Sequence, residues 1–188
     1  MSPPAEASRR DVLISTALDL FCQYGIHGVG IDFIIEEAGV AKATLYRHFP
    51  SKDELVVAAL QAGSCDGQAA LMAALEGAGS SPRERFLALP AVTAQSTKHG
   101  CVFILAAQEF PTRTHAVHKE SLAHKRAMRK LYGDLALAAG SSLPADEAGA
   151  QAQVVLDGVY AAVALGPADV KRAVPAAEQL LALLLDAS

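Results

Sequence analysis

A short segment in the first third of the chain groups side chains that could bind a polyanion. Between Ala41 and Lys52 it contains three basic residues, Lys42, Arg47 and Lys52, and no acid. Tyr46 adds a phenol hydroxyl beside the arginine. Ammonium, guanidinium and hydroxyl groups donate hydrogen bonds to phosphate oxygens and to base edges in the grooves of DNA. The segment therefore predicts nucleic-acid binding.

Such donors need a rigid element to carry them, and helical periodicity provides one. Apolar spacing predicts three helices at about 8–24, 31–38 and 42–49, separated by glycine-containing turns. Ser8 is the expected N-cap of the first helix, Gly25 its C-terminal stop, and Pro50 closes the third helix. A helix, a short glycine turn and a second helix form a helix-turn-helix.

The third helix should have one inward and one outward side. Leu45 and Phe49 are apolar and four residues apart, so they should face the first two helices. The outward side then consists of Lys42, Ala43, Tyr46 and Arg47. This side is suited to enter a major groove, as a recognition helix does.

The composition sets limits on the rest of the protein. The chain has 188 residues, 52% of them hydrophobic, and a net charge of −4, so any polyanion site must be local. Its three cysteines form no CxxC pair, which disfavours a disulfide framework or a zinc ribbon and suits a reducing cytoplasm. We see no signal peptide and expect no membrane-spanning run.

The remainder of the sequence also reads as helical. Ser51 and Glu54 form a predicted capping box for a fourth helix that extends to about Glu76, and a linker is expected at 77–81. Further helices are expected near 82–95 with a kink at Pro90, 101–109, 113–139, 143–165 and 168–186. The predicted fold class is therefore all-α, with a DNA-binding domain at 1–50 and a second helical domain at 51–188.

Several stretches resemble the tetracycline-repressor (TetR) family of transcriptional regulators. They are "LDLFCQYG", "IIEEAGVAKATLYRHFPSK" and, more loosely, "GCVFILAAQEFP" and "VLDGVYAAV", which look like parts of the C-terminal domain in one subgroup. The resemblance implies that Tyr46 and His48 contact the DNA backbone and that Lys52 contacts a phosphate. The full implied DNA-binding set is Lys42, Ala43, Thr44, Tyr46, Arg47, His48 and Lys52. Gly30 and Ala41 stand where family members often have a hydroxyl residue.

The resemblance also implies how the protein would act. It would be a homodimeric repressor that binds a palindromic double-stranded operator and is released by a small-molecule effector held in the 51–188 domain. By this analogy the last two helices form the dimer interface, with Val155, Val159, Ala162, Leu180 and Leu184 as candidates. The candidate effector-pocket residues are Met72, Phe86, Cys101, Phe103, His124, Met128, Tyr132 and Tyr160.

Other function classes find less support in the sequence. No nucleophile elbow, phosphate loop, dinucleotide fingerprint or HExxH motif is present, so we expect neither an enzyme nor a cofactor. His115 and His118 could share a helix face, but His124 points elsewhere, which disfavours a three-histidine metal site. A metal-responsive regulator and a redox-responsive one acting through Cys101 stay open as alternatives, and an all-helical enzyme is a remote one.

Overall fold

The computed structural model of the protein describes residues 8–187, which contain ten α-helices and no β-strand. The all-α prediction is therefore confirmed. The helices are α1 (Arg9–Tyr24), α2 (Ile31–Ala38), α3 (Lys42–His48), α4 (Lys52–Ala78), α5 (Pro82–Leu87), α6 (Leu89–Ser96), α7 (Val102–Glu109), α8 (Ala116–Ala138), α9 (Ala145–Leu165) and α10 (Pro167–Asp186).

The described residues divide into two compact units. Unit 1 contains 8–64 and 102–122, and unit 2 contains 65–101 and 123–187. α4 and α8 each contribute residues to both units. The predicted boundary at residue 50 therefore marks the end of α3, whereas unit 1 continues into α4 and also takes in α7.

Unit 1 is built on a mutually packed set of α1, α2 and α3. Ser8 caps α1, because its Oγ accepts a hydrogen bond from the Asp11 N–H at 3.2 Å, and Ser51 Oγ accepts one from the Glu54 N–H at 3.2 Å at the start of α4. Both predicted capping serines are confirmed. The buried side chains of the three helices are Leu13, Ile14, Ala17, Leu20, Phe21, Ile34 and Leu45.

Unit 2 departs from the predicted helix boundaries at two places. α4 continues to Ala78, so the linker is shorter than expected, and Ser81 with Glu84 forms a capping box for α5. The predicted kinked helix at 82–95 is two helices that meet at Ala88. Pro90 lies in the first turn of α6. A backbone N–H at this position has no partner within the helix, so its absence from proline does not weaken the helix.

Close backbone approach within unit 2 depends on glycine. A Cβ added to Gly149 of α9 would lie 2.2 Å from the Arg129 carbonyl oxygen of α8, and one added to Gly133 would lie 2.1 Å from the Ala145 carbonyl oxygen. Both distances are shorter than a carbon and an oxygen can tolerate. Glycine at these positions therefore permits α8 and α9 to pack backbone against backbone.

α9 is apolar over a longer stretch than the sequence analysis expected, which foresaw no run long enough to span a membrane. Among the described residues, α9 (Ala145–Leu165) is the helix long and apolar enough to cross a membrane by length and composition, and a third of the relevant window is buried. Its buried side packs against α10 and α6 in unit 2. A core helix of a globular unit can have this same length and apolar composition.

Candidate nucleic-acid interface

The two sides of α3 differ as the sequence predicts. Leu45 and Phe49 are buried, which confirms their inward orientation. Lys42, Ala43 and Arg47 are exposed, and Tyr46 has 46% of its surface accessible. α3 therefore presents a continuous polar edge to solvent on one side and anchors itself through apolar side chains on the other.

Thr44 and His48 lie between these two sides. Both are half-buried, and the Thr44 N–H donates to the Ala41 carbonyl oxygen at 2.8 Å, because Ala41 offers no side-chain cap. His48 lines a groove of about 350 Å³ that also includes Arg10 and Phe49. The Arg10 guanidinium lies 5.3 Å from the Phe49 ring centre, a cation–π distance.

Lys42 is held at the N-terminal end of this surface by an ion pair. Its Nζ lies 2.8 Å from the Asp32 carboxylate, and both side chains are largely exposed. The hydrogen bond to Asp32 and its charge raise the pKa of Lys42, so the ammonium form persists. A phosphate would compete with an exposed carboxylate for this cation, which costs little because such pairs are weak in water.

Lys52 is placed differently from the other basic residues of the predicted interface. Its Nζ donates to the Ile26 carbonyl oxygen at 2.6 Å in the turn between α1 and α2, and the residue is half-buried. Burial lowers the pKa of Lys52, while the nearby charges of Glu109 and Asp53 act in the opposite direction. The ammonium thus faces the protein, not the solvent edge that Tyr46 and Arg47 occupy.

The predicted effector-pocket residues fall in both units. Phe103 belongs to unit 1, whereas the other seven belong to unit 2. Phe86, Met128 and Tyr132 are buried in the apolar core of unit 2, and Met72 packs against that core. As core members they stabilise the unit, and a ligand could use them only by displacing existing contacts.

A polar cluster in unit 2 lies around the remaining candidates. Burial raises the pKa of both the Tyr132 and the Tyr160 phenol, that of Tyr160 to about 12, and the nearby acidic groups of Asp157 and Cys101 act in the same direction. Lys125 Nζ binds the Asp157 carboxylate within the same unit. The sequence alone did not predict the pair of Lys125 and Asp157, because the two residues lie 32 positions apart and no local spacing joins them.

Three histidines that suggested a metal site are held in other ways. His115 Nε2 lies 3.2 Å from the Asp53 carboxylate, and His118 Nδ1 lies 2.8 Å from the Phe110 carbonyl oxygen. Burial and the neighbouring Lys125 lower the pKa of His124 to about 4. Within residues 8–187 no group of three or more His, Cys, Asp or Glu side chains could hold a metal ion.

Three of the five predicted dimer-interface residues are largely buried within a single chain. They are Val159, Ala162 and Leu184, all in unit 2. Val155 is partly buried against the same core, and Leu180 is exposed. The outward side of α9 instead carries Val154 and Leu165, which are 74% and 75% exposed, and that of α10 carries Leu183 at 67%.

Known proteins share both the segment and the fold. The family model for bacterial regulatory proteins of the tetR family matches residues 13–59. The HTH-type transcriptional regulator RutR of Escherichia coli (strain K12) is 42% identical over 57 residues, which is 30% of this chain and 27% of that protein. The match thus spans about a quarter of the length of that curated relative.

Similarity to solved structures extends over nearly the whole chain. SCO4454, a TetR-family transcriptional regulator from Streptomyces coelicolor, is 30% identical, with a TM-score of 0.82 over 94% of this chain and 96% of that one. A cysteine mutant of the TetR-family regulator CifR, complexed with 26-bp operator DNA, aligns with a TM-score of 0.77 at 23% identity, over 96% of this chain and 98% of that one. At that identity the second likeness concerns the fold alone.

Proposed function

Because this chain belongs to the TetR family of transcriptional regulators, we propose that it regulates transcription by binding double-stranded operator DNA through α3. The observation that carries the proposal is the two-sided character of α3, in which buried Leu45 and Phe49 oppose an exposed row of donors. A helix of this kind can enter a major groove without losing its own anchorage.

The exposed side chains of α3 divide into two roles. Lys42 and Ala43 lie in the first turn, where a recognition helix approaches base edges, and the small alanine permits close contact. Tyr46, Arg47 and half-buried His48 lie further along and donate to phosphates on the groove walls, with Thr44 between the two groups. The basic residues provide the local positive charge that a chain of net charge −4 otherwise lacks.

A dimer supplies the two copies of α3 that a palindromic operator needs. The outward faces of α9 and α10 are suited to pair with a second copy, because Val154, Gly158, Ala161 and Leu165 recur at helical spacing and are exposed. Leu180 and Leu183 continue this apolar face on α10. A two-fold dimer would place its recognition helices about 34 Å apart, or a multiple of that distance, in successive major grooves.

The effector site of this regulator belongs to unit 2. The cluster of Tyr160, Lys125 and Asp157 supplies a hydroxyl and charges beside the apolar core to which Tyr132 belongs, which is the composition of a small-molecule site. A ligand that prefers a conformation with the wrong head separation would release the operator and relieve repression. A coupling free energy of about 1–3 kcal/mol is typical of such systems. We expect this activity in the cytoplasm and without catalytic turnover.

Selection of bound sequences from random duplex DNA tests the proposal most directly. The full chain should enrich a near-palindromic consensus, and the half-site spacing would report the dimer geometry. Failure to enrich any sequence, together with no binding to any duplex at low ionic strength, would contradict the proposed function.

Variants on α3 then test the interface. Tyr46→Ala should weaken binding to the selected operator about tenfold, because one phosphate hydrogen bond is lost. Arg47→Met should lower the slope of log affinity against log salt by about 0.9 if it neutralises a phosphate, or relax selectivity at one base pair if it reads a base. Tyr24→Ala, which removes another exposed tyrosine of unit 1, is the matched control. Full affinity in both α3 variants would exclude this docking mode.

A further inference from the structure

The turn between α1 and α2 is held by a carboxylate that lies far away in the sequence. Glu109, the last residue of α7, accepts hydrogen bonds from two successive backbone N–H groups of this turn. Its Oε1 lies 3.1 Å from Ile26 N, and its Oε2 lies 2.6 Å from His27 N. The His27 imidazole also lies 3.5 Å from Oε2. Both oxygens of this largely buried carboxylate therefore bind one turn.

Gly25 makes room for this carboxylate. Its φ is +78°, a conformation that an L side chain adopts only with strain, and a Cβ at this position would lie 2.7 Å from Glu109 Oε1. Any other residue would both strain the backbone and displace the carboxylate. The turn is thus shaped around Glu109, in addition to being bonded to it.

Lys52 binds the same turn from α4. Its Nζ donates to the Ile26 carbonyl oxygen at 2.6 Å, while Glu109 accepts from the Ile26 N–H at 3.1 Å. One residue of the turn is therefore bonded through its N–H to an acid of α7 and through its C=O to a base of α4. We name this arrangement of Glu109, Lys52 and the Ile26–His27 backbone the turn clamp.

The turn clamp fixes the element that leads into the helix-turn-helix. Ile26 and Val29 are fully buried, so the turn is inserted in the core of unit 1. α2 begins directly afterwards, and its N-cap, Gly30, provides no side-chain hydrogen bond. α2 in turn packs against α3. A turn released from the clamp would let α2, and with it α3, change position.

We propose that Glu109 and Lys52 are positioning residues for operator binding, which hold α3 at the angle that the groove requires; this inference rests on the proposed function. In this arrangement Lys52 acts on the protein backbone and not on a phosphate, which replaces the role that the sequence resemblance implies for it. By this proposal Glu109 favours binding to negatively charged DNA although it carries a negative charge itself.

The sign of the effect at Glu109 makes the inference testable. Loss of a negative charge from a DNA-binding unit ordinarily strengthens DNA binding, because repulsion of the phosphates falls. Glu109→Gln should do the opposite for the operator, with about a tenfold loss of affinity or more, because an amide NH₂ would face a backbone N–H and leave it without its acceptor. Its affinity for non-specific DNA should stay equal or rise, since that binding depends on charge and not on the angle of α3.

Glu37→Gln is the matched control. It removes the same charge from an exposed position on α2 of the same unit, so it should bind the operator as tightly as the wild type or more tightly. If Glu109→Gln behaves like Glu37→Gln, the turn clamp has no role in operator binding and the inference is overturned. A variant that had simply lost its fold would lose non-specific binding as well, which separates the two causes.

Lys52 is tested by the salt dependence of binding. Lys52→Met should weaken operator binding yet leave the slope of log affinity against log salt unchanged, because no phosphate contact is lost. Arg47→Met, which removes an exposed cation of α3 that is assigned to a phosphate, should lower that slope by about 0.9. A reduced slope in Lys52→Met would show a phosphate contact and overturn the clamp role for this residue.

Hydrogen exchange at the turn provides a readout that does not involve DNA. The amide hydrogens of Ile26 and His27 should exchange faster in Glu109→Gln than in the wild type, while those in the middle of α9 keep their protection. Unchanged exchange at both amides would overturn the inference. Absence of operator binding by the wild type would instead refute the proposed function, so the two failures are distinguishable.

Discussion

The outward apolar face of α9 and α10 offers a quantitative test of dimerisation. Leu183 is 67% exposed in the single chain, and full burial of a leucine side chain contributes roughly 1.5–3 kcal/mol. Burial of the remaining two-thirds contributes about 1–2 kcal/mol per copy, and two-fold symmetry doubles this to about 2–4 kcal/mol per dimer. Leu183→Ala removes most of that apolar surface, so it should raise the dimer dissociation constant by about 30-fold to 1,000-fold.

Sedimentation equilibrium over a dilution series measures this dissociation constant directly. Leu183→Glu should have a larger effect than Leu183→Ala, because burial of two carboxylates at a symmetric interface adds their desolvation. Leu137→Ala, which truncates an exposed leucine of unit 2 that lies on α8 and not on α9 or α10, should dimerise like the wild type. If both Leu183 variants dimerise as tightly as the wild type, the assignment of this face to the interface is refuted.

Two further predictions concern unit 2 and α4. Gly149→Ala should lower the free energy of unfolding by about 1–3 kcal/mol in chemical denaturation, because its Cβ would overlap the Arg129 carbonyl oxygen. The control is Gly67→Ala in α4, which has open space around it and should be neutral or stabilising. The pKa of His124 lies below its usual 6.5, at about 4, so the unfolded chain binds a proton that the folded chain excludes between these values. Stability should therefore fall as the pH drops from 6.5 to 4, by at most about 3 kcal/mol, and fall less in His124→Gln; equal pH profiles would contradict this.

The helix-turn-helix could be predicted from the sequence because its signals are local. Caps at Ser8 and Ser51, the stop at Gly25 and the proline after Phe49 each act within one helical turn, and the bounds of α1, α2 and α3 follow the prediction to within one residue. The inward orientation of Leu45 and Phe49 follows from a spacing of four. Local chemistry of this kind is readable without knowledge of the tertiary structure.

The apolar stripes of α9 could not be assigned in the same way. Val155, Val159 and Ala162 lie on one side of the helix, and Val154, Ala161 and Leu165 lie on another. Both sides are apolar, so the periodicity identifies two candidate faces without stating which one the chain buries within itself. Only the packing of α9 against α10 and α6 distinguishes them. Val159 and Ala162, two of the residues first assigned to a partner, are therefore buried within the chain itself.

The turn clamp could not be predicted from the sequence either, because its residues are far apart in the chain. Glu109 is 83 positions from Ile26, and Lys52 is 26 positions from it, so no local pattern joins the three. The chain passes between the two units through α4, which carries Lys52, and at both ends of 102–122, which carries Glu109. Lys52 and Glu109 bind the same residue, because Lys52 donates to the Ile26 carbonyl oxygen and Glu109 accepts from the Ile26 N–H. Under the proposed function, a movement of Lys52 or of Glu109 would act on this one turn, and through it on the angle of α3. We expect an effector to have its largest structural effect at Ile26. The change would then be concentrated at one residue and not spread over the whole of α4.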